Sequence, residues 1–187
     1  MKQEKQLSKL TSKIKLMIKK KCFFLDRDGV LNKDLGYIYK KSDFKLYSKI
    51  GEAIKYLNQK KYVVIVITNQ SGIGRRLFTV TQLKKLHTYM KKMIAKKKGK
   101  IHDIFFCPYH PTEAFGKYKK DSKDRKPNNG MLEKAIKKWN ISRSNSFMIG
   151  DKKTDYLCAK KSKIKFFYKE KINLLNQVKK ILKKTRV

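Results

Sequence analysis

The chain has 187 residues, enough for one hydrophobic core, and its 20 Phe and Tyr side chains, ten of each, argue against disorder throughout. Its 50 Lys and Arg outnumber 14 Asp and Glu, giving a formal net charge of +36, but only six of the basic residues are arginines. Because base-edge and bidentate phosphate recognition favour arginine, we ascribe the lysines to compositional bias and solvated helix faces, and predict no obligatory nucleic-acid partner.

The cysteines and the hydropathy pattern indicate the compartment. Cys22, Cys107 and Cys158 are far apart and odd in number, which argues against a disulfide framework and favours a reducing environment. No segment approaches the roughly 18 consecutive apolar residues of a membrane span, and the N-terminus lacks the apolar core of a secretory signal. We therefore expect a cytoplasmic protein with no membrane span, and a monomer.

The first residues are basic and set apart from the rest. Leu7, Leu10 and Ile14 have helical spacing, so residues 1–16 can form a short amphipathic helix that contacts a membrane or a partner. Alternatively, Met17 is the natural start and the preceding stretch is an extension outside the fold. We assign 1–16 as a basic extension and 17–187 as one folded domain.

From Cys22 onward, short apolar runs alternate with amphipathic stretches of helical period, which is typical of βα units. The predicted strands are 22–25, 62–67, 104–107, 146–149 and 164–168. The predicted helices are 48–59, 81–97, 131–139, 154–161 and 172–183. The pattern predicts an α/β fold with a doubly wound, mostly parallel sheet of about five strands flanked by helices. The short connections after the first two strands leave no room for a large cap domain.

The first predicted strand runs into two carboxylates, Asp26 and Asp28, followed by Gly29. Residues two apart at a strand end point the same way, so both carboxylates can face one site. A carboxylate can attack phosphorus to give an acyl phosphate, while a second acid protonates the departing alkoxide and later activates water. The string alone fits a turn or a calcium loop equally well.

Phosphate-binding groups follow along the chain. The second predicted strand ends in Thr68 and a glycine-containing turn at 69–74, whose N–H groups can cradle phosphate oxygens, although an ordinary strand-to-helix loop has the same composition. Arg125 and Lys126 precede a predicted helix and offer fixed positive charge to a phosphoryl group, with a solvated basic turn as the alternative.

The fourth predicted strand leads to Asp151 and, four residues later, Asp155, which can share one face near a helix start. Mg²⁺ prefers a few carboxylate oxygens, so Asp151 is a candidate ligand, while Asp155 can instead stabilise the helix N-terminus. Ligands of open parallel sheets bind beyond the carboxyl ends of the strands. All these groups are therefore predicted to converge on one site.

Taken in order, the four strings resemble the motifs of the haloacid dehalogenase (HAD) superfamily: Asp-x-Asp, Thr, Lys and a terminal Asp pair. Within it, residues 25–32, 68–74 and 107–111, with Arg125-Lys126-Pro127, resemble the family of D,D-heptose 1,7-bisphosphate phosphatase and histidinol-phosphate phosphatase. The resemblance covers 22–168. It implies a phosphoric monoester hydrolase that removes the 7-phosphate of a manno-heptose 1,7-bisphosphate, a carbohydrate step toward lipopolysaccharide or capsule glycans.

The resemblance also implies roles for individual residues. Asp26 would be the nucleophile that forms a phosphoaspartyl intermediate, Asp28 the general acid and base, and Thr68 and Lys126 would stabilise the transferring phosphoryl group. Mg²⁺ would be held by Asp26, the main-chain carbonyl of Asp28, and Asp151. The implied substrate contacts are Asp34, Leu35, Gly36, Tyr37, Asn69, Gln70, Ser71, Arg125 and Lys152.

The chain departs from the family at a zinc-binding loop. Relatives bind zinc with a Cys, a His two residues later, and two Cys before the Arg-Lys-Pro; here only Cys107 stands, and the other places hold Tyr109, Ser122 and Asp124. We expect no structural zinc in the usual form, with a rebuilt site on His110 and a nearby Asp as the alternative.

Other contacts must then hold the loop at 108–126, and Phe115 and Tyr118 are candidates. His87 and His102 are interpreted as ordinary surface or packing residues without a role in the site. Trp139, at the end of a predicted amphipathic helix, is interpreted as a core residue.

Three hypotheses of function stay open. The first is heptose bisphosphate hydrolysis, with a small phosphorylated sugar as the partner. The second is histidinol-phosphate hydrolysis. The third, prompted by the charge, is a polynucleotide 3′-phosphatase or a catalytically idle RNA-binding module, for which oligonucleotide binding should weaken steeply with salt.

Overall fold

The computed structural model describes residues 18–185, so the predicted extension at 1–16 lies outside the described residues. The strands are β1 (Cys22–Leu25), β2 (Val63–Asn69), β3 (Asp103–Cys107), β4 (Phe147–Gly150) and β5 (Lys165–Tyr168). The helices are α1 (Ile50–Gln59), α2 (Val80–Ala95), α3 (Gly130–Trp139), α4 (Lys153–Lys161) and α5 (Leu174–Thr185), with a short 3₁₀ turn at Gly116–Tyr118. Five strands and five helices alternate as predicted.

The strands form one parallel sheet in the order β3-β2-β1-β4-β5. The central strand β1 pairs with β2 on one side, where Leu25 lies beside Val66, and with β4 on the other, where Leu25 lies beside Ile149. The carboxyl ends of these three strands therefore lie side by side. The predicted doubly wound α/β class is confirmed.

Helices cover both faces of the sheet, which explains why β1 is apolar at every position. Phe23 and Leu25 face a core built with α1, α2 and α5, whereas Cys22 and Phe24 face a core built with α3 and α4. All four side chains are buried completely. Burial on both faces holds rigid the strand that delivers Asp26 to the edge of the sheet.

Helix α2 begins with a reciprocal capping arrangement that fixes its start. The Thr79 hydroxyl accepts a hydrogen bond from the Gln82 N–H (3.1 Å), and the Thr79 N–H donates to the Gln82 side chain (2.7 Å). The buried face of α2 carries Leu83, Leu86, His87, Met90 and Ile94. None of the helices within 18–185 combines the length and apolarity that crossing a membrane requires.

Candidate active site

A cavity of about 440 Å³ opens at the carboxyl ends of β1, β2 and β4. Most of the residues predicted for the site line it, joined by Gly72, Thr154 and Asp155. Two do not: Leu35 is 59% exposed outside the cavity, and Asp151 lies beside it without lining it. The predicted residues that line it are Asp26, Asp28, Asp34, Gly36, Tyr37, Thr68, Asn69, Gln70, Ser71, Arg125, Lys126 and Lys152.

Three buried charges lie at the floor of this cavity. The Lys126 ammonium donates to the Asp26 carboxylate (2.8 Å) and to the Ile67 carbonyl (3.0 Å), and its Nζ lies 2.5 Å from Oδ1 of Asp155. A buried cation between two buried carboxylates is stable only while all three are present, because removing one partner leaves a charge uncompensated. Lys126 therefore holds Asp26 in place and carries positive charge to the site.

Burial and the neighbouring charges shift the pKa values of these groups. Burial raises the pKa of Asp26 to about 7, against the opposing charge of Lys126. Burial alone would lower the pKa of Lys126, but the carboxylates of Asp26 and Asp155 outweigh it and raise that pKa above its ordinary value. Lys126 thus stays charged at neutral pH, so the site keeps a fixed cation beside its central carboxylate.

Asn69, at the end of β2, fixes the main chain of Lys126. Its side-chain amide donates to the Lys126 carbonyl (3.0 Å), while its oxygen accepts from the Lys126 N–H (3.1 Å). The two residues are 57 positions apart in the chain, so this pair of bonds joins the loop before α3 to the sheet. The predicted contact of Asn69 with substrate remains a prediction.

The Asp28 carboxylate is held by donors from three side chains. Arg27 donates from Nε to Oδ1 (3.1 Å) and from Nη2 to Oδ2 (2.8 Å). Asn32 donates to Oδ1 and Gln70 to Oδ2, each at 2.9 Å, and Gln70 also reaches the Thr68 hydroxyl at 3.0 Å. Asp28 is therefore fixed at the wall of the cavity beside Thr68.

A cluster of three carboxylates can hold a metal ion. One oxygen each from Asp26, Asp151 and Asp155 lie within 4.8 Å of one another. Asp155 is already engaged, since Oδ1 lies against Lys126 and Oδ2 accepts the Lys152 N–H (3.1 Å). By contrast, Oδ1 of Asp151 is buried and has no hydrogen-bond partner among the described residues. Asp151 is the carboxylate that most needs a cation.

Gly29 makes room for the Asp151 carboxylate. It has φ of +85°, and a β-carbon at this position would lie 2.3 Å from Oδ2 of Asp151. A side chain here would strain the backbone and push the carboxylate away. The glycine that follows the Asp-x-Asp string thus serves the acidic cluster as well as the turn.

The rim of the cavity is basic. Lys152 forms an ion pair with Asp34 (2.9 Å) that joins the loop after β1 to the start of α4. The guanidinium of Arg125 donates to the Tyr109 carbonyl (3.2 Å), and that of Arg75 lies 5.4 Å from the centre of the Tyr37 ring. Two of these cations, Lys152 and Arg125, line the cavity itself and can meet an anionic ligand.

The loop at 108–126 is held in part as expected. Tyr118 packs against the small core formed by Ile73, Phe78 and Leu83. Phe115, the other candidate, is 53% exposed and joins no core; its ring lies 4.9 Å from the Arg76 guanidinium, and its N–H donates to the Gly74 carbonyl (2.8 Å).

Polar contacts complete the loop. His110 accepts at Nδ1 from the Glu113 N–H (3.1 Å), and Glu113 forms an ion pair with Arg75. Cys107 is a buried free thiol beneath the loop. The His110 ring is thus engaged in a hydrogen bond within the loop. The alternative drawn from the sequence was that this residue, with a nearby Asp, binds zinc in a rebuilt site.

Besides Gly72 and Thr154 in the cavity wall, three residues to which the sequence analysis gave no role in the site support its side chains. Asp155 is completely buried and paired with Lys126. Arg27 is also completely buried and contacts both Asp28 and His87. The position of His87 on an apolar helix face, between Leu83 and Met90, was the one local signal of its burial.

The other two residues discussed without a role in the site have structural contacts. His102 accepts the Val64 N–H at Nδ1 (3.1 Å), at the amino-terminal end of β2 and so away from the cavity. Trp139 packs against the core under α3 and donates to Asp103 (2.9 Å). Both contacts fit the packing roles expected from the sequence.

Comparison with known proteins agrees with this site. Residues 21–172 match the family described as polynucleotide kinase 3 phosphatase. A D-glycero-beta-D-manno-heptose-1,7-bisphosphate 7-phosphatase of Haemophilus ducreyi is 41% identical over 78% of this chain and 80% of its own length. The enzyme of the same name from Pasteurella multocida is 42% identical, over 78% and 79%.

Solved structures show the same fold. A putative HAD-like phosphatase from Mesorhizobium loti superposes with a TM-score of 0.74 at 29% identity, covering 78% of this chain and 70% of that one. A D,D-heptose 1,7-bisphosphate phosphatase from B. bronchiseptica, complexed with magnesium and phosphate, gives a TM-score of 0.72 at 23% identity, covering 88% and 99%.

The parallel sheet, with an Asp-x-Asp string after its central strand and a buried Lys facing it, defines a phosphatase of the HAD superfamily. The chain belongs to the polynucleotide kinase 3 phosphatase family, and its relatives at about 40% identity are heptose 1,7-bisphosphate 7-phosphatases. The predicted superfamily, fold and enzyme class are confirmed.

Proposed function

We propose that the chain is a Mg²⁺-dependent phosphomonoesterase that removes the 7-phosphate of D-glycero-D-manno-heptose 1,7-bisphosphate through a phosphoaspartyl intermediate on Asp26. The observation that carries the proposal is the contact between the Lys126 ammonium and the Asp26 carboxylate (2.8 Å) on the floor of the cavity. The names of the relatives at about 40% identity support the substrate.

In the first half-reaction, a carboxylate oxygen of Asp26 attacks phosphorus and the bond from phosphorus to the sugar oxygen breaks. Lys126 and the Thr68 hydroxyl face the same cavity and stabilise the charge on the transferring phosphoryl oxygens. Protonated Asp28 gives its proton to the departing sugar oxygen. The sugar leaves as an alcohol, and Asp26 carries the phosphoryl group.

In the second half-reaction, water displaces the phosphoryl group from Asp26. Asp28, now a carboxylate, takes a proton from this water as it attacks phosphorus, and the acyl phosphate bond breaks. Inorganic phosphate leaves and Asp26 is regenerated. The fixed position of Asp28, bonded to Asn32 and Gln70, suits an acid that returns as a base in the same place.

The donor set fits Mg²⁺, a hard cation that prefers oxygen ligands. Asp26 and Asp151, with the main-chain carbonyl of Asp28, would hold the ion. Asp155 instead forms an ion pair with Lys126. When bound, Mg²⁺ supplies positive charge that offsets the repulsion between a carboxylate nucleophile and a phosphate dianion. The unpaired buried oxygen of Asp151 supports this assignment.

The charge and size of the cavity support a bisphosphate substrate. Its volume of about 440 Å³ suits one small molecule, and Arg125 and Lys152 add cations beyond the catalytic Lys126. A second phosphate can meet these cations while the first is cleaved. The same cations disfavour histidinol phosphate, whose amino group is positive.

A polynucleotide 3′-phosphatase is the second candidate, favoured by the description of the matching family and by the net charge of +36. Two observations argue against this candidate. Only six of the 50 basic residues are arginines and the other 44 are lysines. The relatives at about 40% identity are named as phosphatases of a sugar bisphosphate. Lysine gives a diffuse positive field without the bidentate recognition of arginine.

We also propose that the protein acts in the cytoplasm, as a monomer whose folded domain spans 17–187. The three cysteines are buried free thiols, which supports a reducing compartment. Size-exclusion chromatography with light scattering tests the oligomeric state, and a dimer mass would contradict this part of the proposal.

The experiment that tests the function compares three substrates with purified protein and Mg²⁺: heptose 1,7-bisphosphate, histidinol phosphate and a 3′-phosphorylated oligonucleotide. Phosphate release is measured as kcat/KM, with Asp26→Asn as the control for contaminating phosphatases. We expect the sugar bisphosphate to have the highest kcat/KM. A higher value for either other substrate would overturn the substrate assignment.

A further inference from the structure

Arg27 is the largest completely buried side chain of the described residues, and the catalytic scheme above gives it no role. Its guanidinium contacts three groups: the Asp28 carboxylate, the Ile38 carbonyl (3.2 Å from Nη2) and the His87 ring (3.2 Å from Nη1). A buried arginine is costly unless its donors are satisfied. These three contacts together fix the orientation of the guanidinium plane.

The contact with His87 fixes the protonation of that ring. Arginine only donates hydrogen bonds, so Nε2 of His87 must be the acceptor, and the ring proton is on Nδ1. A charged imidazolium, with protons on both nitrogens, could not accept this bond. Burial, together with the charge of Arg27, lowers the pKa of His87 to about 3, in agreement with the geometry.

His87 reaches this position from another part of the fold. It lies in the middle of α2, 60 residues from Arg27, and is 6% exposed, with its ring edge against Phe106. It does not line the cavity. A change at His87 therefore removes no side chain from the cavity wall and acts on the site through the guanidinium of Arg27 and the Asp28 carboxylate bound to it.

The geometry points to Arg27 and His87 as a positioning pair for Asp28; this inference rests on the proposed function, in which Asp28 is the general acid and base. His87 accepts Nη1–H, so the guanidinium cannot turn about its stem. Its Nε and Nη2 then donate hydrogen bonds to the two oxygens of Asp28 and orient the carboxylate toward the cavity. Neither residue contacts substrate.

The consequence is a selective effect on substrates with poor leaving groups. An alkoxide leaving a sugar phosphate needs a proton from Asp28, whereas p-nitrophenolate leaves without one. A misplaced Asp28 should therefore slow the sugar phosphate more than p-nitrophenyl phosphate. The ratio of the two kcat/KM values within one preparation does not depend on the fraction of folded enzyme.

The experiment measures this ratio for His87→Leu, which removes the acceptor, and His87→Gln, whose amide oxygen can replace Nε2. His102→Leu is the matched control, because it also removes a histidine acceptor but at the opposite end of β2. We expect His87→Leu to lower the sugar phosphate kcat/KM about tenfold and the aryl phosphate kcat/KM less than about threefold. His87→Gln should restore the ratio, and His102→Leu should not change it.

Arg27→Lys provides a second variant should His87→Leu fail to fold, since lysine keeps the charge but cannot bridge Asp28 and His87. It should shift the ratio in the same direction. A parallel fall for both substrates, or an unchanged ratio while Asp28→Asn shows the selective loss, overturns the positioning role alone. If Asp28→Asn itself shows no selective loss, the proposed acid is wrong and the inference falls with it.

Discussion

Replacing Gly29 by Ala tests the metal site most directly. A new β-carbon would lie 2.3 Å from Oδ2 and 2.6 Å from Cγ of Asp151. Restoring an ordinary carbon to oxygen separation of about 3.3 Å requires the carboxylate to retreat by about 1 Å. Mg²⁺ tolerates only a few tenths of an ångström at its ligands, so this displacement should remove Asp151 as a ligand.

Gly116→Ala is the matched control. Gly116 also has positive φ, +53°, but a β-carbon there has nothing within 4 Å among the described residues. Both variants carry the backbone strain of a side chain at positive φ, roughly 1–2 kcal/mol, and only Gly29→Ala adds the collision. The difference between the two variants therefore isolates the effect on Asp151.

The assay is the Mg²⁺ concentration that gives half-maximal phosphatase activity, together with the rise in Tm that Mg²⁺ produces without substrate. We expect Gly29→Ala to raise the half-maximal concentration at least about tenfold, or about 1.4 kcal/mol of binding free energy, and to reduce the Tm response. Gly116→Ala should match the parent protein in both. Equal Mg²⁺ requirements in the two variants would refute the role of Asp151.

Three further predictions concern single groups. Asp26→Asn should abolish phosphate release while the circular dichroism spectrum stays unchanged, because the amide cannot act as nucleophile; activity within about tenfold of the parent contradicts this. Lys126→Met should lower the Tm measured in EDTA by roughly 6–20 °C, since it leaves Asp26 and Asp155 buried without their cation; an unchanged Tm argues against the buried network. Because the pKa of His87 is about 3 in the folded protein, below its ordinary value near 6.5, only the unfolded chain takes up this proton as pH falls below about 6.5. As the pH falls from 6 to 4, the unfolding free energy of the parent protein, measured by urea denaturation, should therefore decrease by about 1.4 kcal/mol per pH unit relative to that of His87→Gln. A difference between the two proteins that stays constant with pH would contradict the buried neutral ring.

The sequence predicted the fold well because the signals were local. Each strand was an apolar run and each helix had one apolar face, so every predicted bound lies within two residues of the observed one. The convergence of Asp26, Thr68 and Asp151 was predictable for a topological reason: carboxyl ends of neighbouring parallel strands share one edge of the sheet.

The contacts that hold the site were not predictable, because they join residues distant in the chain. The sequence placed Lys126 and Asp26 in one site but not their direct ion pair across 100 positions, and it gave no sign that Arg27 meets His87 across 60. No periodicity encodes such pairs; only the packed fold brings them together. Aromatic character likewise could not tell how the two candidates for holding the loop at 108–126 would do so: Tyr118 packs against a small core, whereas Phe115 is exposed and contacts Arg76 and Gly74.

The central place of β1 has a consequence for local opening of the protein. Its amides and carbonyls are bonded to β2 on one side and β4 on the other, and the Asp26 N–H itself donates to the Ile149 carbonyl (3.0 Å). Fraying of the outer strand β5 can expose its own amides to deuterium exchange without reaching the nucleophile. The slowest-exchanging amides should therefore lie in β1, the strand that leads to the reactive carboxylate. The site then keeps its geometry while the outer strand opens locally.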